Sequence, residues 1–256
     1  MKEVAEDAGV APGRWIEVAP SRFPAWIGSF GGRHGATELH PLTVNAGEGS
    51  VTFTAPDAAT ARCHPPFPHF SERPGLSPLD YAHAIAEHVL ANRVTGVLLV
   101  RLGGYAVGVF TGSPPALAAS KTGSRLVHGR SAAGGWSQHR FARRREKQAT
   151  EARHAAADAA IGVWGSWGGG LDAVVLGGDK RAIAELRRDA RLAPYLALAV
   201  DRFLTVPDPK QAVLADSPRL FLAIRIWLTE PQVSLTYAAT QGVTAAGRRM
   251  MSGPRR

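Results

Sequence analysis

A single cysteine, Cys63, leaves the chain unable to form an internal disulfide. No apolar run approaches the roughly 20 residues that a bilayer demands. The longest near the C-terminal end, Leu220 to Leu228, is interrupted by Arg225. The opening stretch MKEVAEDAGV is acidic and has no apolar signal core. Together these absences predict a cytoplasmic protein with no membrane partner. No internal repeat is present. Acidic residues are scarce in two places only: residues 121–153 hold 9 basic and 2 acidic groups, and 248–256 hold 4 basic and none. Elsewhere the signs balance, with 8 basic and 10 acidic in 1–120 and 9 of each in 154–247. The net charge of +9 and the pI near 10.4 are therefore local properties, and they call for a polyanionic partner along one segment.

What is present is ample for a core. With 256 residues and 45% apolar content, the chain fits one large domain or a domain with a smaller appendage. RWIEVA (14–19) reads as a strand, and Ser21 is placed to cap a helix carrying Phe23, Trp26, Ile27 and Phe30 at helical spacing. VTFTA (51–55) alternates as a strand. The proline-rich 56–78 reads as an irregular connection. Ser77-Pro78-Leu79-Asp80 forms a capping box before a helix running to about Asn92. VTGVLLVRL and YAVGVFTG form a hairpin about Gly103-Gly104, with SRLVHG (124–129) as a third strand. From His139 to about Val163 the composition favours a helix of six to seven turns. A strand at 171–178, a helix KRAIAELRRDAR capped by Asp179, a strand at 195–206 and a mainly helical 208–228 complete the order. Strands alternating with helices predict a mixed α/β fold with helices on both sheet faces. The predicted division is an N-terminal β/α region at 1–75, a core at 76–230 with a flexible loop at 130–138, and a basic tail at 231–256.

The segment RSAAGGWSQHRFARRREKQAT (130–150) carries the chemistry. Gly134 and Gly135 permit close approach of backbone to another molecule. Gln138 stays neutral at every working pH, so it is no general base; its amide can orient a water or hold a developing oxyanion. Trp136 is either a stacking surface for a base or an anchor on its own domain. Arg140, Arg143, Arg144, Arg145 and Lys147 surround the first turns of the helix, where positive charge opposes the helix dipole unless phosphates approach. Arg130 and His139 extend this RNA-binding set, and Phe141 is expected to pack beneath the helix. Two other readings stay open. GWSQH is half of a nucleophile elbow with Ser137 as the nucleophile of a serine hydrolase, and the whole segment can serve a ribosome- or RNA-binding module without catalysis.

Other candidates are weaker. His83 and His88 lie about 140° apart around a helix and do not converge on a metal. CHPPFPH is an incomplete zinc set, and Gly177-Gly178-Asp179-Lys180 lacks the longer phosphate-loop pattern. All read as structural, with no metal and no cofactor implied.

GGWSQHRFARRREKQ resembles the middle domain of archaeal and eukaryotic class I peptide-chain release factors, in which a GGQ tip precedes RFAR at the start of a long helix. It is most similar to the actinobacterial VLRF (Vms-like release factor) peptidyl-tRNA hydrolases. The hairpin VLLVRLGGYAVGVF, the long helix and LDAVVLGGDKRAI fall in the family's order over roughly 93–205. Aligned on RFAR, the family glutamine falls on Trp136, while Gly134, Gly135, Ser137 and Gln138 match the Vms-type branch, where a serine intervenes. The resemblance implies an RNase H-like core and a ribosome-dependent hydrolase of peptidyl-tRNA that rescues stalled large subunits. Gly134, Gly135, Ser137 and Gln138 would be its catalytic residues. Its partners would be the rRNA of the large-subunit peptidyl-transferase centre and peptidyl-tRNA, and the protein would be a monomer.

Overall fold

The computed structural model describes residues 13–231 except 39, 41, 48, 69, 71, 72, 74, 102, 103, 125–136 and 169, and describes only the backbone of 137–149. The described residues open with β1 (Gly13–Val18), a 3-10 turn at Pro20–Arg22 and α1 (Phe23–Arg33). Phe23, Ile27 and Phe30 are buried as their spacing predicts. Ser21 lies inside the 3-10 turn and does not cap α1, which has no side-chain cap. Next come β2 (Thr43–Gly47), β3 (Ser50–Thr54) and β4 (Thr60–His64). The last corrects the reading of 56–78 as wholly irregular. β4 is only five residues long, and it is held by antiparallel pairing on both sides.

Helix α2 (Pro78–Leu90) begins at the expected capping box. Ser77 Oγ accepts from the Asp80 N–H at 3.2 Å and donates to Asp80 Oδ2 at 2.6 Å. Its other end is closed by Arg93, which donates to the carbonyls of His88 and Val89 at 2.6 and 3.4 Å and lies 4.6 Å above the Phe67 ring.

The second half runs β5 (Thr95–Arg101), β6 (Gly104–Thr111), β7 (Ala116–Ser124), α3 (Ser137–Gly165), β8 (Ala173–Gly178), α4 (Lys180–Leu186), α5 (Ala193–Leu196), β9 (Ala199–Leu204), α6 (Gln211–Ala215), α7 (Pro218–Phe221) and β10 (Ile224–Thr229). Three expectations shift. The third meander strand is 116–124, because a short turn after β6 brings Ala116 opposite Thr111; residues 125–129 lie outside the described residues. The 195–206 strand starts at Ala199, after the short α5. The 208–228 helix is two short helices followed by β10, in which Ile224, Ile226 and Leu228 alternate inward.

Two five-stranded sheets result. The first, ordered β1-β10-β4-β3-β2, is antiparallel throughout, and the core between it and α1 and α2 holds Phe23, Ile27, Phe53, Ile85 and Ile226. The second, β7-β6-β5-β8-β9, is antiparallel through its first three strands and parallel through β5, β8 and β9, which is the RNase H-like arrangement. Its strands alternate between two cores. Leu98, Val100, Val107 and Val174 pack under α3 and α4. Val97, Leu99, Phe110 and Val175 pack with Leu214 of α6 and Phe221 of α7 on the other face. The mixed α/β class with helices on both faces is as predicted.

Strand β10 leaves the second half and inserts between β1 and β4. For the division of the chain we therefore propose, in place of a cut at 75–76, a first unit of 13–90 with 224–229 and a second unit inserted between. Arg202 of β9 ties the two: its buried guanidinium pairs with Glu17 of β1 at 2.8 Å and donates to the Leu220 carbonyl at 2.8 Å. Among the described residues no helix is long and apolar enough to cross a membrane.

Candidate functional site

Helix α3 is the longest element among the described residues, 29 residues or about 43 Å at 1.5 Å per residue. Its C-terminal half is built for packing. Ala156, Ala157, Ala159 and Ala160 are at most 1% exposed and let the helix lie close on the sheet. Trp164 ends this stripe, its indole N–H donating to the Gly108 carbonyl at 3.2 Å. Gly96 makes the room: a Cβ there would lie 2.8 Å from Leu171 Cδ1 and 3.0 Å from the Trp164 indole nitrogen. On the outer side, Arg191 reaches Asp158 at 2.9 Å and Asp189 at 2.6 Å. Hydrogen bonds from Arg191 hold the Asp189 carboxyl below the ordinary carboxylate range.

The N-terminal half carries the candidate residues. The helix starts at Ser137, two residues earlier than expected, so Ser137 and Gln138 belong to its first turn and not to the preceding connection. No proline or glycine interrupts 137–161, which is why the helix extends so far. His139, Arg140, Arg143, Arg144, Arg145 and Lys147 follow in the first three turns. By the 3.6-residue period Arg140, Arg144 and Lys147 share one stripe of positions, with Arg143 about 60° away and Arg145 about 140° away. Followed along the helix, that stripe comes to exposed His154 and Asp158, opposite the buried Ala156 and Ala160. Arg140 and Lys147 precede Ala156 by about 24 and 14 Å along the axis.

Arg130, Gly134, Gly135 and Trp136 lie outside the described residues, as do the side chains of Ser137, Gln138, Phe141 and the basic residues through Lys147. The backbone thus brings Ser137, Gln138 and the cations onto one helix.

The remaining candidates are placed by packing. Cys63 is fully buried in the first core, and burial pushes its thiol pKa up. His64, its neighbour, lies on the opposite face of the sheet. His88 faces the Phe67 carbonyl at 3.3 Å, while His83 lines an open groove of about 710 Å³ between α1 and α2. No group of three or more potential metal ligands occurs among the described residues. At Gly177-Gly178-Asp179-Lys180, Asp179 accepts from the N–H groups of Arg181 and Ala182 at 2.7 and 3.3 Å, so the donors a phosphate would need are occupied. Gly178 has φ +98°, and a Cβ there would collide with the Val100 carbonyl.

Residues 93–227 match the family model described as "Actinobacteria/chloroflexi VLRF1 release factor". Among solved structures the chain is similar to an archaeal translation termination factor, aRF1, at 13% identity and TM-score 0.37, covering 82% of this chain and 65% of that one. It is also similar to a "Vms1 mitochondrial localization core" at 9% identity and TM-score 0.30, covering 72% of this chain and 76% of that one. None of the curated proteins matches the chain.

Proposed function

The chain belongs to the actinobacterial and chloroflexi VLRF1 release-factor family, and from that premise we propose that it is a ribosome-dependent peptidyl-tRNA hydrolase that frees nascent chains from stalled large subunits. The observation that carries the reading is the run from Gly134-Gly135 through Gln138 into a single helix that holds Arg140, Arg143, Arg144 and Lys147 at its start.

In this proposal the basic half of α3 lies along rRNA or the tRNA acceptor arm, and the segment before it enters the peptidyl-transferase centre. Gln138 orients the attacking water at the ester or holds the developing oxyanion. Its place in the first turn adds a second donor, since the first four backbone N–H groups of an α-helix have no partner within the helix. Proximity supplies most of the acceleration, because a positioned water attacking an activated ester needs little base strength. Arg130, His139 and Arg145 add contacts to phosphate, and Trp136 stacks on a base. The cavity that completes the site belongs to rRNA, so the free protein should not cleave small esters.

The test uses purified large subunits carrying labelled peptidyl-tRNA. Gln138→Ala should abolish peptide release while co-sedimentation with the subunit persists, and Ser137→Ala should release nearly as well as the unmodified chain. The reverse ranking would transfer the chemistry to a serine nucleophile. Co-sedimentation without any release, even by the unmodified chain, would leave a binding module, and full release by both variants would move the chemistry away from Ser137 and Gln138.

A further inference from the structure

We propose that the face of the first sheet away from α1 and α2, outside the corner where Arg202 of β9 meets Glu17, is a binding surface for single-stranded RNA. The register assembles it. Trp15 of β1 pairs with Trp227 of β10, which pairs with Arg62 of β4, which pairs with Thr52 of β3, which pairs with Asn45 of β2. Five strands spaced about 4.8 Å apart make this row about 19 Å long. The rows beside it bring Arg225 opposite His64, and Thr229, Thr60, Thr54 and Thr43 in succession. The residues between them, such as Ile226, Cys63 and Phe53, face the core.

The chemistry fits one class of partner. Trp15 and Trp227 sit edge to face, centroids 5.2 Å apart, and Trp15 remains 47% exposed although Arg225 lies 4.2 Å over its ring. Gly13 lets the second indole settle, since a Cβ there would lie 2.7 Å from it. Trp15, which also meets His64 with ring centroids 5.4 Å apart, keeps nearly half of its surface exposed on this face, and Trp227 beside it is half-buried; the exposed part of such a ring is a stacking surface for a base. Arg62 and Arg225 make no ion pair among the described residues, and Glu17, the carboxylate beside Arg225, is already paired with Arg202. Burial first, and then the charges of Arg62 and Arg225, hold the His64 pKa below its ordinary value. Arg62 beside Trp227 and Arg225 over Trp15, both without a carboxylate partner among the described residues, favour a polyanion with bases. The threonine and asparagine rows supply donors and acceptors for ribose hydroxyls and base edges. A five-stranded face cannot enter the narrow major groove of duplex RNA, and stacking requires splayed bases, so the partner is single-stranded.

The surface stands apart from α3, and its test removes α3 from the reading. In a full-length background with Arg140, Arg143, Arg144 and Lys147 changed to glutamine, binding of a labelled 12-nucleotide oligouridine is followed by fluorescence anisotropy. Trp15→Ala should weaken it about five- to 150-fold, the range for one base stacked on an aromatic side chain. Arg62→Ala should lower the slope of log affinity against log salt by about 0.7. Trp15 and Arg62 are exposed enough for both variants to fold, and circular dichroism melts check this. Affinities unchanged in both variants, no binding in the background, or displacement by polyglutamate or duplex RNA as readily as by single strands would each overturn the proposal. Loss of peptide release in Gln138→Ala bears on none of these outcomes.

Discussion

Replacing Trp164 by alanine removes the anchor at the far end of α3. The side chain is 2% exposed and among the largest buried in the described residues, and its N–H is bonded to the Gly108 carbonyl. Truncation of a buried tryptophan costs about 3–5 kcal/mol through lost transfer energy and the cavity left behind. That is a large part of the roughly 5–15 kcal/mol that holds a typical domain folded. At about 2–4 °C per kcal/mol for a chain of this size, a loss of about 4 kcal/mol lowers the melting temperature by about 8–16 °C. Trp164→Phe keeps most of the volume and loses the donor, so its cost should be nearer 1–2 kcal/mol. The measurement is thermal unfolding followed by circular dichroism at 222 nm. Gln138 lies about 39 Å along the axis from Trp164. Both variants should therefore lower peptide release below the melting temperature if the packed half holds the basic half in place. A melting temperature within about 2 °C of the unmodified chain for Trp164→Ala would refute the idea that this residue fixes the helix to the sheet.

Other outcomes follow from the same contacts. Neutralising Arg140, Arg143, Arg144 or Lys147 singly should reduce the salt slope of ribosome binding by about 0.7–0.9 each, measured by sedimentation across a salt series. Changing Gly134 and Gly135 together to alanine should remove release through lost backbone reach even with Gln138 in place, read in the same release assay. Ser77→Ala should cost about 1 kcal/mol by removing the α2 cap, seen as a lower urea midpoint. His64 has its pKa lowered in the folded chain, so the stability it contributes is present above its ordinary value near 6.5 and is lost as pH falls through the folded value. His64→Thr should then shrink the drop in urea midpoint between pH 7 and pH 5.

The readings that held rest on local chemistry. Ser77 and Asp179 are caps because a short oxygen-bearing side chain sits before a helical run, and both make the bonds that spacing implies. The β5–β6 hairpin carries its own apolar runs. Two of the failures have a different cause. β7 is ALAASKTGS, alanine and serine with little strand preference, and only pairing with β6 extends it. β4 is held by β10, a strand more than 150 residues later, which no local window contains. For β10 the signal was there: IRIWLT alternates inward and outward, but the helical reading of 208–228 ran past it. The tip chemistry came from the GGWSQ run and its resemblance, because glycine and glutamine have no periodicity to read.

The insertion of β10 between β1 and β4 also dictates an order of events while the chain is being made. Synthesis delivers β1 early, yet among the described residues its partner strand is β10, which begins at Ile224, so no described strand lies beside β1 until almost all of the described chain has emerged. The second sheet needs nothing beyond β9 to complete its pairing. Domains that can close early do so as they leave the tunnel. The inserted unit that carries α3 is therefore expected to form ahead of the first sheet, and the last turn of assembly is the zipping of β10 into a waiting gap.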